Sequence, residues 1–184
     1  LVPIGDQLLF GNYDYCINLG GFANISFKKN EQRIAFDICP VNIVLNYYVT
    51  KLGFDYDDKG NIAKSGKISS RLLEELNKLP FYNLLPPKSL GLEWVQEILL
   101  PIIESCNIEV RDVLRTIIEH AAIQISKYLN QNNSKTLVTG GGAYNLFLLE
   151  RIKSLSNSEI IIPKTDMISG LVFLATRLLL YVTQ

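Results

Sequence analysis

A chain of 184 residues is long enough for one domain with a full core and too short for two domains of ordinary size. Its 48% hydrophobic residues and its 18 basic against 18 acidic side chains are a globular balance with no formal net charge. That excludes the basic surplus of a nucleic-acid or anionic-membrane binder. Cys16, Cys39 and Cys106 are odd in number, far apart and free of any CxxC pair. The pattern argues against a disulfide framework and a zinc site, and for free thiols in a reducing cytoplasm. Charged residues interrupt every apolar run before the roughly 20 residues that a membrane-spanning helix needs, so no membrane partner is expected. The opening LVPIGDQLLFG has neither the basic region nor the cleavage site of a signal peptide. It also lacks a start methionine, and the chain is expected to continue a longer protein.

In chain order, YDYCINL, FANISFKK and RIAFD read as three short strands. Gly20-Gly21 and Lys29-Asn30-Glu31 supply the turns of an antiparallel meander. VNIVLNYYVTKLG has helical spacing and a C-cap signal at Gly53. Residues 54–107 are less regular and are expected to be a helical insertion: a polar loop, a short helix SSRLLEELNKL, the turn-rich LPPKSLG, and a helix from about Glu93 that meets Pro101. From Ile108 to Asn130, apolar residues recur three or four apart, the strongest helix signal of the chain. KTLVT is a strand running into Gly140-Gly141-Gly142 and a helix AYNLFLLERIKSL. EIIIP is a further strand, followed by a helix from about Ser169 to Tyr181. The resulting order, β-β-β-α-(insertion)-α-β-α-β-α, predicts an α/β domain with a mixed sheet of about five strands and helices on both faces. By analogy it matches the ribonuclease-H-like half-domain used twice in actin, Hsp70 and sugar kinases.

Two glycine turns could carry chemistry. In Asn18-Leu-Gly20-Gly21-Phe-Ala-Asn24-Ile-Ser26, a Gly-Gly hairpin without Cβ atoms lets backbone N–H groups approach a phosphate, with Asn24 as an added donor. An ordinary two-residue hairpin turn is the alternative. In Thr139-Gly140-Gly141-Gly142-Ala-Tyr-Asn145, bare backbone leaves a strand and enters a helix, where a nucleotide can lie against the positive helix end. The spacing fits neither a P-loop nor the GxGxxG fingerprint. The two turns together, in this order, favour nucleotide binding. His120, beside Ala121 with no acidic or cysteine neighbour at catalytic spacing, is expected at a boundary or surface position. Trp94, Tyr47 and Tyr48 are expected to be packing aromatics.

LVPIGD, NLGGFANIS, AFDICPVN, PKSLGLEW and TGGGAYN, in this order from Leu1 to Asn145, resemble successive motifs of the anhydro-N-acetylmuramic acid kinases. Those enzymes are two-domain, actin-like kinases of peptidoglycan recycling. They open an anhydro sugar with water and move the ATP γ-phosphate onto its O6. The resemblance implies that the chain is the C-terminal, ATP- and sugar-facing half of a cytoplasmic sugar kinase that uses ATP and Mg2+, with the Mg2+ ligands mainly in an N-terminal domain. It implies Asp6 as the base that activates water. It also implies Gly20, Gly21 and Asn24 on the phosphate, Gly140, Gly141, Gly142 and Asn145 beside the adenosine, and Asp37, Asn42, Lys88 and Ser89 around the amino sugar. Where the family usually has DTGPGN this chain has Asp37-Ile38-Cys39-Pro40-Val41-Asn42, and Ser169 stands where a glutamate is common. A nucleotide-binding module without the sugar chemistry, or another sugar kinase of the superfamily, therefore stays open beside the kinase reading. The face left by an absent domain is a candidate homodimer surface.

Overall fold

The structure is a computed structural model that describes residues 12–30 and 32–163. The meander forms as expected: β1 (Tyr15–Leu19), β2 (Phe22–Lys29) and β3 (Gln32–Pro40) pair antiparallel in sequence, with Asn30 in a left-handed turn at φ 49°. Next come α1 (Asn42–Thr50), α2 (Asn61–Lys64), α3 (Ser70–Asn77), α4 (Leu92–Trp94), α5 (Leu100–Ser105) and the long α6 (Val110–Ser126). The chain then crosses to β4 (Lys135–Thr139), α7 (Leu146–Leu155) and β5 (Glu159–Ile161). β4 lies parallel to β1 and β5 parallel to β4, so the sheet is mixed, in the order β3-β2-β1-β4-β5. The predicted helix from Ser169 lies outside the described residues.

Strand alternation explains the layering. Ile17 and Leu19 of β1, Ala23 and Ile25 of β2 and Val138 of β4 point to one face and join the core with α1, α6 and α7. Cys16 and Leu137 point to the other face and are also buried. α6 is nearly enclosed, with Leu114, Ile118, Ala122 and Ile125 all fully buried. Gly53, at φ +82°, ends α1: its N–H bonds Thr50 O at 3.0 Å while Phe54 N–H reaches Val49 O.

The segment expected as an insertion shares this core, since Leu72, Leu76, Val95, Leu99 and Ile103 belong to the same buried cluster as the inner residues of α6. Pro101 does not end the helix begun near Glu93. A π-turn over Val95–Leu99 precedes α5, whose first turn holds Pro101, where a missing N–H is tolerated. His120 is no surface residue: it is 2% exposed, with its ring nitrogens 2.9 Å from Asn77 Oδ1 and 2.8 Å from Tyr82 Oη. Burial holds the imidazole down to about pKa 3, with a smaller push from Lys127. Trp94 packs against Phe81 and Tyr82, and Tyr48 is buried while Tyr47 is half exposed.

Candidate active site

Both glycine turns emerge at the carboxyl ends of the parallel neighbours β1 and β4, the position where open α/β sheets form ligand crevices. The Gly20-Gly21 turn is fixed from behind by the start of α1. Asn42 N–H bonds Gly20 O at 3.3 Å, and the N–H groups of Val41 and Ile43 bond Gly21 O at 2.8 and 3.2 Å. Asn42 Nδ2 also donates to Leu19 O at 3.2 Å. The second turn interlocks with the first. Gly140 adopts φ 82°, ψ 171°, and a Cβ there would collide with Asn18 Oδ1 and meet Leu19 O at 2.8 Å. A Cβ on Gly142 would press on Leu19 Cβ at 2.7 Å. Gly141 is different: it is exposed, and its nearest neighbour would be Asn42 Nδ2 at 3.9 Å. The turn thus uses two glycines to dock and leaves the middle one open.

Beside this junction lies a cavity of about 470 Å³, bordered by Asn42, Leu45, Gly141, Gly142, Tyr144 and the 56–59 loop. That loop is held by Asp57, whose carboxylate accepts from Ile62 N–H at 2.7 Å and Ala63 N–H at 2.9 Å. Gly60, at φ +79°, packs so tightly on Asn145 and Phe147 that no Cβ would fit. Asn145 is itself engaged: its Oδ1 caps α7 by accepting from Leu148 N–H at 3.0 Å.

A second cavity of about 410 Å³ gathers Asn24, Asp37, Lys88 and Ser89, together with Ala35, Phe36 and Pro87. A register shift next to Asn24 sets it opposite Asp37 across β2 and β3. Asp37 then fastens the 88–90 loop, since its N–H bonds Lys88 O at 3.0 Å and its Oδ2 accepts from Leu90 N–H at 2.9 Å. Lys88 is buried, its Nζ donating to Phe81 O at 3.2 Å and lying 4.6 Å from the Phe81 ring centre. Burial lowers its pKa, Lys127 lowers it further, and Cys39 works in the opposite direction. Ser89 is exposed on the same loop.

The structure therefore divides the expected site residues between two cavities. Asn24, Asp37, Lys88 and Ser89 share one; Gly141, Gly142 and Asn145 share the other. Asn42, expected with the sugar group, borders the glycine cavity instead, and Gly20 and Gly21 line neither. Asp6 and Ser169 lie outside the described residues. Tyr56, Asp58, Lys59 and Tyr144 were not foreseen; Lys59, a non-glycine residue at φ 57°, marks its loop in the structure but leaves no sign in the sequence.

The family model described as anhydro-N-acetylmuramic acid kinase matches residues 1–169. The chain belongs to this family. Among curated anhydro-N-acetylmuramic acid kinases, that of Hahella chejuensis is 38% identical over 159 residues, covering 82% of this chain and 42% of the relative. That of Aliivibrio fischeri is 33% identical over 167 residues, covering 83% and 44%. The chain thus spans less than half the length of these relatives. Among solved structures, the activator of the 2-hydroxyisocaproyl-CoA dehydratase from Clostridium difficile, with bound ADPNP, superposes with a TM-score of 0.50 at 18% identity. The match covers 87% of this chain and 57% of the other, and it shows the fold alone. The domain is the mixed five-stranded half of an actin-like ATPase fold.

Within this kinase family the replaced segment takes on a clear meaning. Ile38, Cys39 and Val41 are at most 1% exposed and belong to the core, so their added bulk points inward. Burial raises the Cys39 thiol far above its ordinary pKa, with Lys88 offsetting part of the rise, and the group stays a neutral thiol. Among the described residues no three His, Cys, Asp or Glu side chains group to hold a metal ion, and no helix is long and apolar enough to cross a membrane.

Proposed function

We propose that this chain is the C-terminal half of an anhydro-N-acetylmuramic acid kinase of the cytoplasm, with the glycine cavity taking ATP and the Asn24–Asp37–Ser89 cavity taking the amino sugar. One observation carries the reading: a chain of this family joins two glycine turns at the ends of parallel strands, with Gly140 and Gly142 packed on Asn18 and Leu19 and a bare Gly141 facing a cavity. At about 470 Å³ that cavity lies within the usual range for small-molecule sites. The glycine backbone fits a phosphate chain, which needs N–H donors and no intervening side chain. ATP would supply the phosphoryl group, and Mg2+ would neutralise its charge from ligands we assign mainly to an N-terminal domain.

The chain's own residues then position and exclude. Gly21 and Gly141 present backbone, and Asn42 backs the first turn, its side chain on Leu19 O and its N–H on Gly20 O. Asp37 holds the loop that delivers Ser89 to the sugar. Asp6 takes the proton of the water that opens the anhydro ring, and the freed O6 becomes the phosphoryl acceptor. The decisive assay supplies the full-length protein with ATP, Mg2+ and anhydro-N-acetylmuramic acid and follows the 6-phosphate. Turnover that falls at least about a hundredfold in Asp6→Asn is expected. No turnover, or turnover indifferent to Asp6→Asn, refutes the assignment, and nucleotide binding without turnover would mark a binding module.

A further inference from the structure

We propose that Tyr82 and His120 are positioning residues for the Lys88 ammonium and so set how the cavity of Asn24, Asp37 and Ser89 meets its ligand. The inference rests on the sugar reading of that cavity and adds to it the groups that hold its cation in place. Lys88 is 9% exposed and borders the cavity, yet among the described residues its ammonium pairs with no carboxylate. Its one hydrogen bond there runs from Nζ to Phe81 O at 3.2 Å. With so few contacts of its own, the ammonium takes its place from the carbonyl that receives it.

That carbonyl belongs to a turn tied to α6 by a chain of hydrogen bonds, and each bond has one possible direction. Lys127 Nζ can only donate, so the Gln124 amide turns its oxygen to it at 2.8 Å and its nitrogen to Asn77 Oδ1 at 2.7 Å. Asn77 Oδ1 can only accept, which puts the hydrogen of the neutral His120 ring on Nδ1, 2.9 Å away. Nε2 is then bare and accepts from the Tyr82 hydroxyl at 2.8 Å. Tyr82 adjoins Phe81 in the turn Pro80–Asn83; its ring meets the His120 ring edge-on at 4.9 Å, and Trp94 packs on both Phe81 and Tyr82. Phe81 O also accepts from Leu84 N–H at 3.2 Å, and the Phe81 ring centre lies 4.6 Å from Lys88 Nζ. At the other end of the lysine, Asp37 N–H holds Lys88 O at 3.0 Å. His120, Tyr82 and Phe81 do not border the cavity, so their route to a ligand there runs through Lys88.

The test uses the full-length protein. In turnover, Tyr82→Phe, which removes one oxygen and keeps the ring, should raise the sugar KM about three- to tenfold while kcat and the ATP KM stay within about twofold. His120→Leu, which frees the same hydroxyl, should match it. In a Lys88→Met background, adding Tyr82→Phe should change the sugar KM less than about twofold, because the group through which it acts is gone. A second readout needs no substrate: reductive methylation with formaldehyde, located by mass spectrometry, should label Lys88 about fivefold faster in Tyr82→Phe than in wild type, with the exposed Lys153 unchanged. Where Lys88→Met raises the sugar KM, a Tyr82→Phe protein with the wild-type sugar KM, or one whose effect persists in full beside Lys88→Met, overturns the proposal and leaves the sugar reading standing. Lys88→Met with an unchanged sugar KM overturns the sugar reading. Equal labelling of Lys88 in wild type and Tyr82→Phe overturns the seating of Lys88 in either case.

Discussion

Gly140→Ala tests the interlock of the two glycine turns, with Gly141→Ala as its internal control. Gly140 sits at φ 82°, ψ 171°, a region open essentially to glycine, and forcing another residue there costs about 1–3 kcal/mol. The new Cβ would also meet fixed atoms: Leu19 O at 2.8 Å, Leu19 C at 2.9 Å and the Asn18 Oδ1 that it overlaps. Overpacking of this kind adds about 1–3 kcal/mol. A total near 3 kcal/mol, divided by a urea dependence of about 2 kcal/mol per molar, shifts the unfolding midpoint down by about 1.5 M. At Gly141 the added methyl meets only Asn42 Nδ2 at 3.9 Å, so its midpoint should stay within about 0.3 M of wild type while nucleotide binding weakens. Equal midpoints for the two variants, or a Gly140→Ala protein as stable as wild type, would refute the interlock.

Three further outcomes are expected. His120 is held to about pKa 3 in the folded protein against 6.5 when unfolded, so its neutral form costs nothing above pH 6.5; as pH falls below that, the unfolded chain binds the proton first and stability drops by about 1.4 kcal/mol per pH unit. Urea midpoints should be insensitive to His120 from pH 7.5 to 6.5 and show this slope from pH 6.5 to 5, and His120→Gln should flatten it. Glu119 clasps α6 to α7 through Arg151 at 2.9 Å and also pairs within α6 with Arg115 at 2.8 Å, and although burial opposes ionisation, those bonds keep its pKa below the ordinary value; Glu119→Gln should cost about 2–4 kcal/mol at pH 7, read by urea unfolding. Asp37→Ala frees Leu90 N–H from its carboxylate anchor, leaving the backbone bond to Lys88 O in place, and should raise the sugar KM of the full-length protein by about tenfold with the ATP KM unchanged.

What the sequence revealed was whatever is encoded locally. β2 is read to the residue because FANISFKK alternates between two turns, and Gly53 ends α1 because its capping role depends on one residue's φ. The glycine turns were legible for the same reason. His120 was misplaced because its partners, Asn77 and Tyr82, are 43 and 38 residues away in an irregular stretch, and no local pattern reports such a pairing. Within residues 54–107 the apolar residues come from short elements with weak periodicity, so their part in the core, where Leu72, Leu76 and Val95 join α6, was not legible. Asp57 looked like one acid among several in a polar loop. Its value lies in two backbone N–H groups five and six residues on, which appear only once Gly60 turns the chain back.

The two cavities differ in how they tolerate change, and that explains why the altered segment need not disturb either. Asp37 faces the cavity it shares with Asn24, Lys88 and Ser89, Asn42 faces the glycine cavity, and the four residues between them cross the sheet edge into α1. Along that crossing the cavity-facing work falls to the side chains at the two ends and to backbone groups: Val41 N–H on Gly21 O, Asn42 N–H on Gly20 O. The side chains of Ile38, Cys39 and Val41 turn the other way, into the core, where larger apolar side chains in place of a threonine and two glycines add buried area. Asn42 Nδ2 still reaches Leu19 O, and Asp37 still holds Leu90. The ends that touch the two cavities are therefore the parts of this segment that the replacement leaves alone, and the bulk it introduces is absorbed behind them.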